Sequence, residues 1–471
     1  MLREPGGSMA SASGLPPRAL GLGDVTLFMV TAGSSLQWTA VAAAAGPSSL
    51  LLWVFGGLAF FLPLAVCVVF LAARHPEEGG LYAWTGRAFG PFTGFMTGWT
   101  YWTGTLAFVP SVLYFAAGSA RLAAPGSDST GITPVWFVGF SIAALLLAVV
   151  LNVRGLAAAK WLNSAGAVAR WIGTLLLVLL ALASCSRFGS ATAIDTHTIV
   201  PQFRLADVIL WSTLAFCWTG PEAASFMGGE IREPRRTVPR ALALAAPMIA
   251  TIYIVGTASV LLAIPPARAS GVYGVMEAIR GSASRLHLSW LIPLGAACVA
   301  LDRVGSSCLW IGALARIPLA AGVDRFLPGS FTRLDARGAP AVVIWTQAVI
   351  VALLVVLGQS GTSVRGAYNV LIEMMIVCSM LPYLVLFAAT IRLSGGAPVS
   401  GRRRPGVRAM VIFLALLGFA TTSGSMALAF LPPPDEVNPT LAVLKVAGFN
   451  AVLLLGGVAI YLLGNARARR A

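Results

Sequence analysis

The chain has 471 residues, 58% of them hydrophobic and only 10% charged, with a mean hydropathy of +0.84 and a formal net charge of +15. A soluble domain carries roughly a quarter charged residues, so this chain cannot cover a water-facing surface and is built for lipid. Its charges punctuate apolar runs and do not gather into one basic domain, which excludes a nucleic-acid surface and makes membrane topology the reason for the positive excess.

Residues 1–18 are rich in Gly, Pro and Ser, lack an apolar core, and read as a cytoplasmic tail without a cleavable signal. A bilayer core of about 30 Å needs about 20 apolar residues per helix. On that ruler about twelve spans follow, near 20–44, 49–73, 91–119, 134–153, 163–185, 205–229, 238–263, 288–316, 341–357, 367–391, 408–431 and 441–464. The outer connection after the seventh span carries a short surface helix over 272–280. With the N-terminus inside, the cytoplasmic segments hold most of the 32 Lys and Arg, which is the positive-inside bias and requires an even span count with both termini cytoplasmic.

The six cysteines sit in or beside apolar runs with no CxxC or metal-ligand spacing, so neither a metal nor a cofactor site is expected. His75, His197 and His287 fall in polar connections. No GxSxG, HExxH or Walker loop is present, so a membrane enzyme is not the expected reading.

Two spans carry helix breakers at their middles. The first has Ala32-Gly33-Ser34-Ser35 and the sixth has Thr219-Gly220-Pro221-Glu222. Lipid cannot satisfy a free N–H or C=O, so unwound backbone at membrane depth belongs around a protein-lined cavity. Paired interruptions at corresponding positions of two halves mark the binding site of transporters built on inverted repeats.

Further motifs surround these breaks. Glu78-Gly79-Gly80-Leu81-Tyr82-Ala83-Trp84 leads to Arg87-Ala88-Phe89-Gly90-Pro91 and on to Gly98-Trp99-Thr100-Tyr101-Trp102. Gly220-Pro221-Glu222-Ala223-Ala224 is followed by Gly229-Glu230-Ile231-Arg232-Glu233-Pro234-Arg235-Arg236-Thr237-Val238-Pro239. Ala315-Arg316-Ile317-Pro318 precedes Gly322-Val323-Asp324-Arg325-Phe326-Leu327-Pro328. Together they resemble the amino acid–polyamine–organocation (APC) permease family over essentially the whole chain. The resemblance implies an all-α integral membrane protein with a 5+5 inverted-repeat, leucine-transporter-like core plus two C-terminal helices. The corresponding boundaries are a first repeat over 19–187, a second over 188–395, and the last two spans with a cytoplasmic tail over 396–471. It also implies secondary active transport, by symport or antiport, of amino acids or related amines; the bases, almost all Arg, and the abundant Ala and Gly point to a GC-rich bacterial gene and so to a bacterial cytoplasmic membrane. Its partners are then a small-molecule substrate, membrane lipid and a coupling ion, with H+ a candidate, and no nucleic acid. One feature departs from the family: its first-helix break is commonly Gly-Ser-Gly, and here one glycine is missing, which leaves amines and polyamines open as cargo.

The candidate substrate-binding residues are Ala32, Gly33, Ser34, Ser35, Phe216, Trp218, Gly220 and Glu222. The break supplies N–H and hydroxyl donors, the aromatics a lid for an ammonium, and Glu222 an ionisable group at mid-membrane, where such groups are functional by default. It is a candidate for amine binding, proton transfer or gating. Arg170 either takes the place that a coupling sodium holds in relatives or snorkels to the inner surface. Asp302 and Arg303 are adjacent, so each needs its own partner, in a proton relay or an ion-pair network. Glu373 recognises an amine from outside or pairs with Arg365. Glu230, with Arg232, Arg235, Arg236 and Arg240, is a candidate inner latch. Gly86, Gly90, Gly94 and Gly98 form a smooth stripe along one helix face. A channel or a transport-inactive sensor remains the rival from another class.

Overall fold

The computed structural model describes residues 20–75, 80–123, 133–201, 205–227, 231–269, 272–320, 326–336, 338–358, 364–395, 405–431 and 438–468. In chain order the helices are α1 (Leu22–Gly33), α2 (Leu36–Ala44), α3 (Ser48–Gly56), α4 (Leu62–Arg74), α5 (Leu81–Phe89), α6 (Pro91–Leu106), α7 (Phe108–Arg121), α8 (Pro134–Arg154), α9 (Leu156–Phe188) and α10 (Thr196–Ile199). They continue as α11 (Leu205–Cys217), α12 (Pro234–Ala263), α13 (Gly274–Arg285), α14 (Leu291–Leu314), α15 (Ile317–Ala320), α16 (Ala341–Gly358), α17 (Val364–Leu393), α18 (Pro405–Leu428) and α19 (Pro439–Ala468). A π-helical turn, Gly57–Phe61, joins α3 to α4, and a 3₁₀ turn, Pro221–Met227, follows α11. Proline opens α6, α8 and α12, where its missing N–H costs nothing. The one β-like contact among the described residues is an isolated bridge between Leu20 and Ile231, tying the foot of the first span to the segment after the sixth.

Among the described residues, eleven helical stretches are long and apolar enough to cross a bilayer. The sixth expected span is missing from that set because its chain is cut into α11 of 13 residues and a 3₁₀ turn of 7. At 1.5 Å per residue α11 reaches only about 20 Å. Counting this broken span restores twelve. Packing sorts the spans into centre and rim. In the most apolar 18-residue window of the α6–α7 stretch 89% of residues are buried, against 17% in that of α19, which lies at the rim. α14 lies between α7, α8 and α9, α1 lies along α12, and α17 lies along α6 and α18.

Two local expectations change. The glycine stripe is a corner: Gly90, at φ +97°, ends α5 and starts α6, and the two helices fold back so that a Cβ on Gly94 would lie 2.9 Å from Gly86 Cα. The surface helix expected over 272–280 is the longer α13, and it is wedged against α9, with Val275, Met276 and Ile279 buried.

Candidate binding site at the broken helices

Helix α1 stops at Gly33 and α2 begins at Leu36, with Ser34 (φ −130°, ψ 145°) and Ser35 (φ −155°, ψ 131°) extended between them. The C-terminal turn of α1 therefore has carbonyls without helical partners, and each of three finds another donor. Ser34 Oγ donates to Val30 O at 2.6 Å, Arg170 Nη1 to Thr31 O at 2.9 Å, and Tyr253 Oη to Gly33 O at 2.8 Å. An arginine is well placed at the negative end of a helix dipole.

The second break begins after Cys217. Gly220 has φ +117°, and a Cβ on it would sit 2.6 Å from Ala32 O, so this residue is glycine for both its dihedral and its neighbour. The two interruptions thus abut backbone to backbone. Pro221 then starts the 3₁₀ turn, and Glu222 folds back over the break. Its Oε2 accepts from Gly220 N–H at 2.8 Å, and its Oε1 accepts from Tyr101 Oη at 3.0 Å and Tyr383 Oη at 2.5 Å. Tyr253 Oη also donates to Cys217 O at 2.9 Å, so one hydroxyl is shared between the freed carbonyls of both breaks.

Beside the first break lies a buried charge cluster. Arg170 Nε meets Asp302 Oδ1 at 2.8 Å, while Arg303 reaches Asp302 Oδ2 through Nε at 2.9 Å and Nη2 at 2.5 Å. Arg303 Nη1 donates to Ser35 Oγ at 2.6 Å. Arg170, Asp302 and Arg303 are 3%, 1% and 1% exposed, so a snorkelling Arg170 is ruled out. The adjacency argument for Asp302 and Arg303 also fails, because the long arginine side chain curls back onto its neighbour's carboxylate. The arrangement is a buried ion-pair network of two cations and one anion. Removing one member of such a network leaves an uncompensated charge, which is far costlier than the network's net contribution.

A small cavity of about 30 Å³ lies between the breaks and this cluster. Ala32, Ser34, Ser35, Phe216, Gly220 and Glu222 line it, as does Arg303. One side is aromatic: Trp38 stacks on Phe108 with ring centres 6.1 Å apart, meets Phe216 edge-on at 6.0 Å, and Phe108 meets Trp310 at 6.0 Å. Gly33 and Trp218 are not in the lining. A Cβ on Gly33 would strike Pro221 Cγ at 2.7 Å, so Gly33 serves the helix crossing. Trp218 packs instead against Phe61, Trp53 and the junction of α3 with the π turn at Gly56 and Gly57. Arg170 and Asp302 stand behind the wall, and Glu373 is not part of it. The Arg365 side chain and Glu230 lie outside the described residues. Tyr101, Tyr253 and Tyr383 were not singled out from the sequence, although three of only eight tyrosines end on this cavity. A phenol inside an apolar span was the signal, since a buried Tyr O–H finds a partner.

Comparison with known proteins extends this geometry to the whole chain. A family model for amino acid permeases matches residues 19–458. An uncharacterised transporter of Legionella pneumophila is 27% identical over 424 residues, covering 88% of this chain and 90% of that protein. The glutamate/γ-aminobutyrate antiporter of Lactococcus lactis is 24% identical over 393 residues (81% and 77%), and the cadaverine/lysine antiporter of Escherichia coli is 25% identical over 352 residues (71% and 74%). In fold, the chain is similar to MhsT, solved in complex with L-phenylalanine, with a TM-score of 0.51 and 14% identity over 93% of this chain and 98% of that one. The broken first and sixth spans therefore sit in a leucine-transporter-like fold, and with a family match running through almost all of the sequence the chain belongs to the amino acid permease family.

Proposed function

We propose that this protein is a secondary active transporter that moves amino acids or related amines by alternating access around the α1–α2 and α11–Pro221 breaks. The observation that carries the reading is the abutment of two interrupted spans, Gly220 against Ala32, beside a cavity, with freed carbonyls of both breaks held by the one Tyr253 hydroxyl. A site of this kind holds a small solute away from both aqueous sides, which a continuous channel does not do. The antiport activities for which the Lactococcus and Escherichia relatives are named support amino acids and amines as the cargo class. Residues 19–187 and 188–395 act as the two repeats, with the last two spans outside them, in a bacterial cytoplasmic membrane with both termini inside.

Coupling is to protons. Arg170 supplies a permanent cation at the C-terminal end of α1, bonded to Thr31 O and Asp302, where sodium-driven relatives hold their ion. Glu222, buried beside the second break, is the proton-carrying group of this scheme. The test is reconstitution into proteoliposomes with labelled amino acids, agmatine and polyamines under separate proton and sodium gradients. Saturable counterflow is expected, with accumulation driven by a proton gradient, indifferent to sodium, and lost in Glu222→Gln while counterflow survives. Accumulation that follows sodium overturns the coupling scheme. Ligand binding without counterflow overturns the carrier and leaves a membrane sensor.

A further inference from the structure

Resting on that reading, we infer that the cargo carries a carboxylate held by Arg303, has a net charge of zero or below, and is not a diamine. Arg303 is 1% exposed and lines the cavity. Of its five N–H groups, three are used: Nε and one on Nη2 by Asp302, and one on Nη1 by Ser35. One N–H on each terminal nitrogen is left without a partner among the described residues. A guanidinium with a free donor on each terminal nitrogen is suited to a carboxylate, which accepts from both. The partner hydroxyl, Ser35, is also the residue from which α2 starts, and no side chain caps that helix, so its positive end faces the same corner.

The opposite charge is not on offer. Among the described residues Glu222 is the only carboxylate lining the cavity, and its two oxygens already accept three hydrogen bonds, from Gly220, Tyr101 and Tyr383. Asp302 is consumed by two arginines. An ammonium entering this space finds aromatic faces at Trp38, Phe108 and Phe216 but no free anion. The formal sum settles the class. Arg170, Arg303, Asp302 and an ionised Glu222 add to zero, or to +1 when Glu222 holds a proton. A diamine would raise the buried total to +2 or +3, which a water-poor interior strongly disfavours. A zwitterionic amino acid keeps it at zero or +1, and an acidic one at −1 or zero. The amino acid thus lies with its carboxylate at Arg303 and its ammonium against the aromatic side.

The test measures binding to the purified full-length protein and counterflow in proteoliposomes as separate readouts. The probes are L-glutamate, L-leucine and γ-aminobutyrate, the carboxamide of each, and cadaverine and putrescine. Carboxylates should bind about 10- to 100-fold more tightly than their carboxamides, the range expected for a charge-assisted bidentate pair. In Arg303→Gln that preference should vanish, with both forms at the carboxamide's affinity. Asp302 keeps Arg170 in this variant, and Arg303→Lys, which retains charge without the fork, should show a reduced preference and carries the test should the Gln variant not accumulate. Diamine binding as tight as that of any carboxylate, a full carboxylate preference in Arg303→Gln, or no binding by any probe overturns the inference. Diamine counterflow would do so while leaving the carrier standing. Carboxylate binding without counterflow would remove the carrier and keep the role of Arg303.

Discussion

Tyr253 holds the two interruptions together through one oxygen. Its hydroxyl lies 2.8 Å from Gly33 O and 2.9 Å from Cys217 O, while its ring stacks on Trp53 at 4.2 Å, and Trp53 Nε1 in turn donates to Thr257 Oγ1 at 2.9 Å. The ring is thus fixed from below and the hydroxyl is aimed by packing. In Tyr253→Phe the stack survives, and two carbonyls freed by the breaks lose their shared donor. A buried acceptor left unsatisfied costs about 1–3 kcal/mol, so the variant should melt at lower temperature in detergent and transport more slowly. Thermal unfolding and initial uptake rates measure both. An unchanged melting curve together with unchanged uptake would show that the breaks are closed by something other than this hydroxyl.

At the level of the element, the two broken spans depend on residues that cannot grow. A methyl group on Gly220 must meet Ala32 O at 2.6 Å and would also sit at φ +117°. Overpacking of this kind costs about 1–3 kcal/mol, and here it pushes directly on the neighbouring break. Gly220→Ala should therefore cut uptake at least tenfold relative to its surface expression. Gly424→Ala, with nothing within 4 Å of its added Cβ, should leave both unchanged and serves as the control. Equal transport by the two variants would mean that the abutment is not needed. These breaks were legible in the sequence because Gly-Pro and Gly-Ser-Ser disrupt a helix by local chemistry alone. What the breaks face was less legible. Phe216 and Trp218 are both aromatics beside the break, yet Phe216 is still on α11 while Trp218 lies in the turn just past its end, and only Phe216 reaches the cavity. Which of the pair turns inward depends on Trp53, Phe61 and Tyr253, residues far away in sequence. The π turn at Gly57–Phe61 has no signature beyond two adjacent glycines, and the tyrosines around Glu222 come from α6 and α17, which only the fold brings together.

For the whole molecule the question is how many times the chain crosses the bilayer, because eleven crossings would put the termini on opposite sides and twelve put them on the same side. The sixth segment decides it. Its α11 is too short to span alone, but α11, the extended turn and the 3₁₀ stretch together run from Leu205 to Met227, and the cavity-facing backbone groups of the break are satisfied by Tyr253 and Glu222. A broken segment with its polar groups paired inside protein can cross where a lipid-exposed one cannot. With the N-terminus inside, twelve crossings would put most of the Lys and Arg on the cytoplasmic side, as the positive-inside bias requires. Single cysteines test this in a Cys185→Ala background, since the other five native cysteines are buried. Ala193→Cys, exposed after the fifth span, should react with a membrane-impermeant maleimide in intact cells, and Arg333→Cys, exposed after the eighth, only once the membrane is permeabilised. If both react from outside, the sixth segment does not cross. If only Arg333→Cys does, the whole orientation is inverted. A sixth segment that fails to cross would also separate the two breaks by a membrane face, and no cavity between them could alternate.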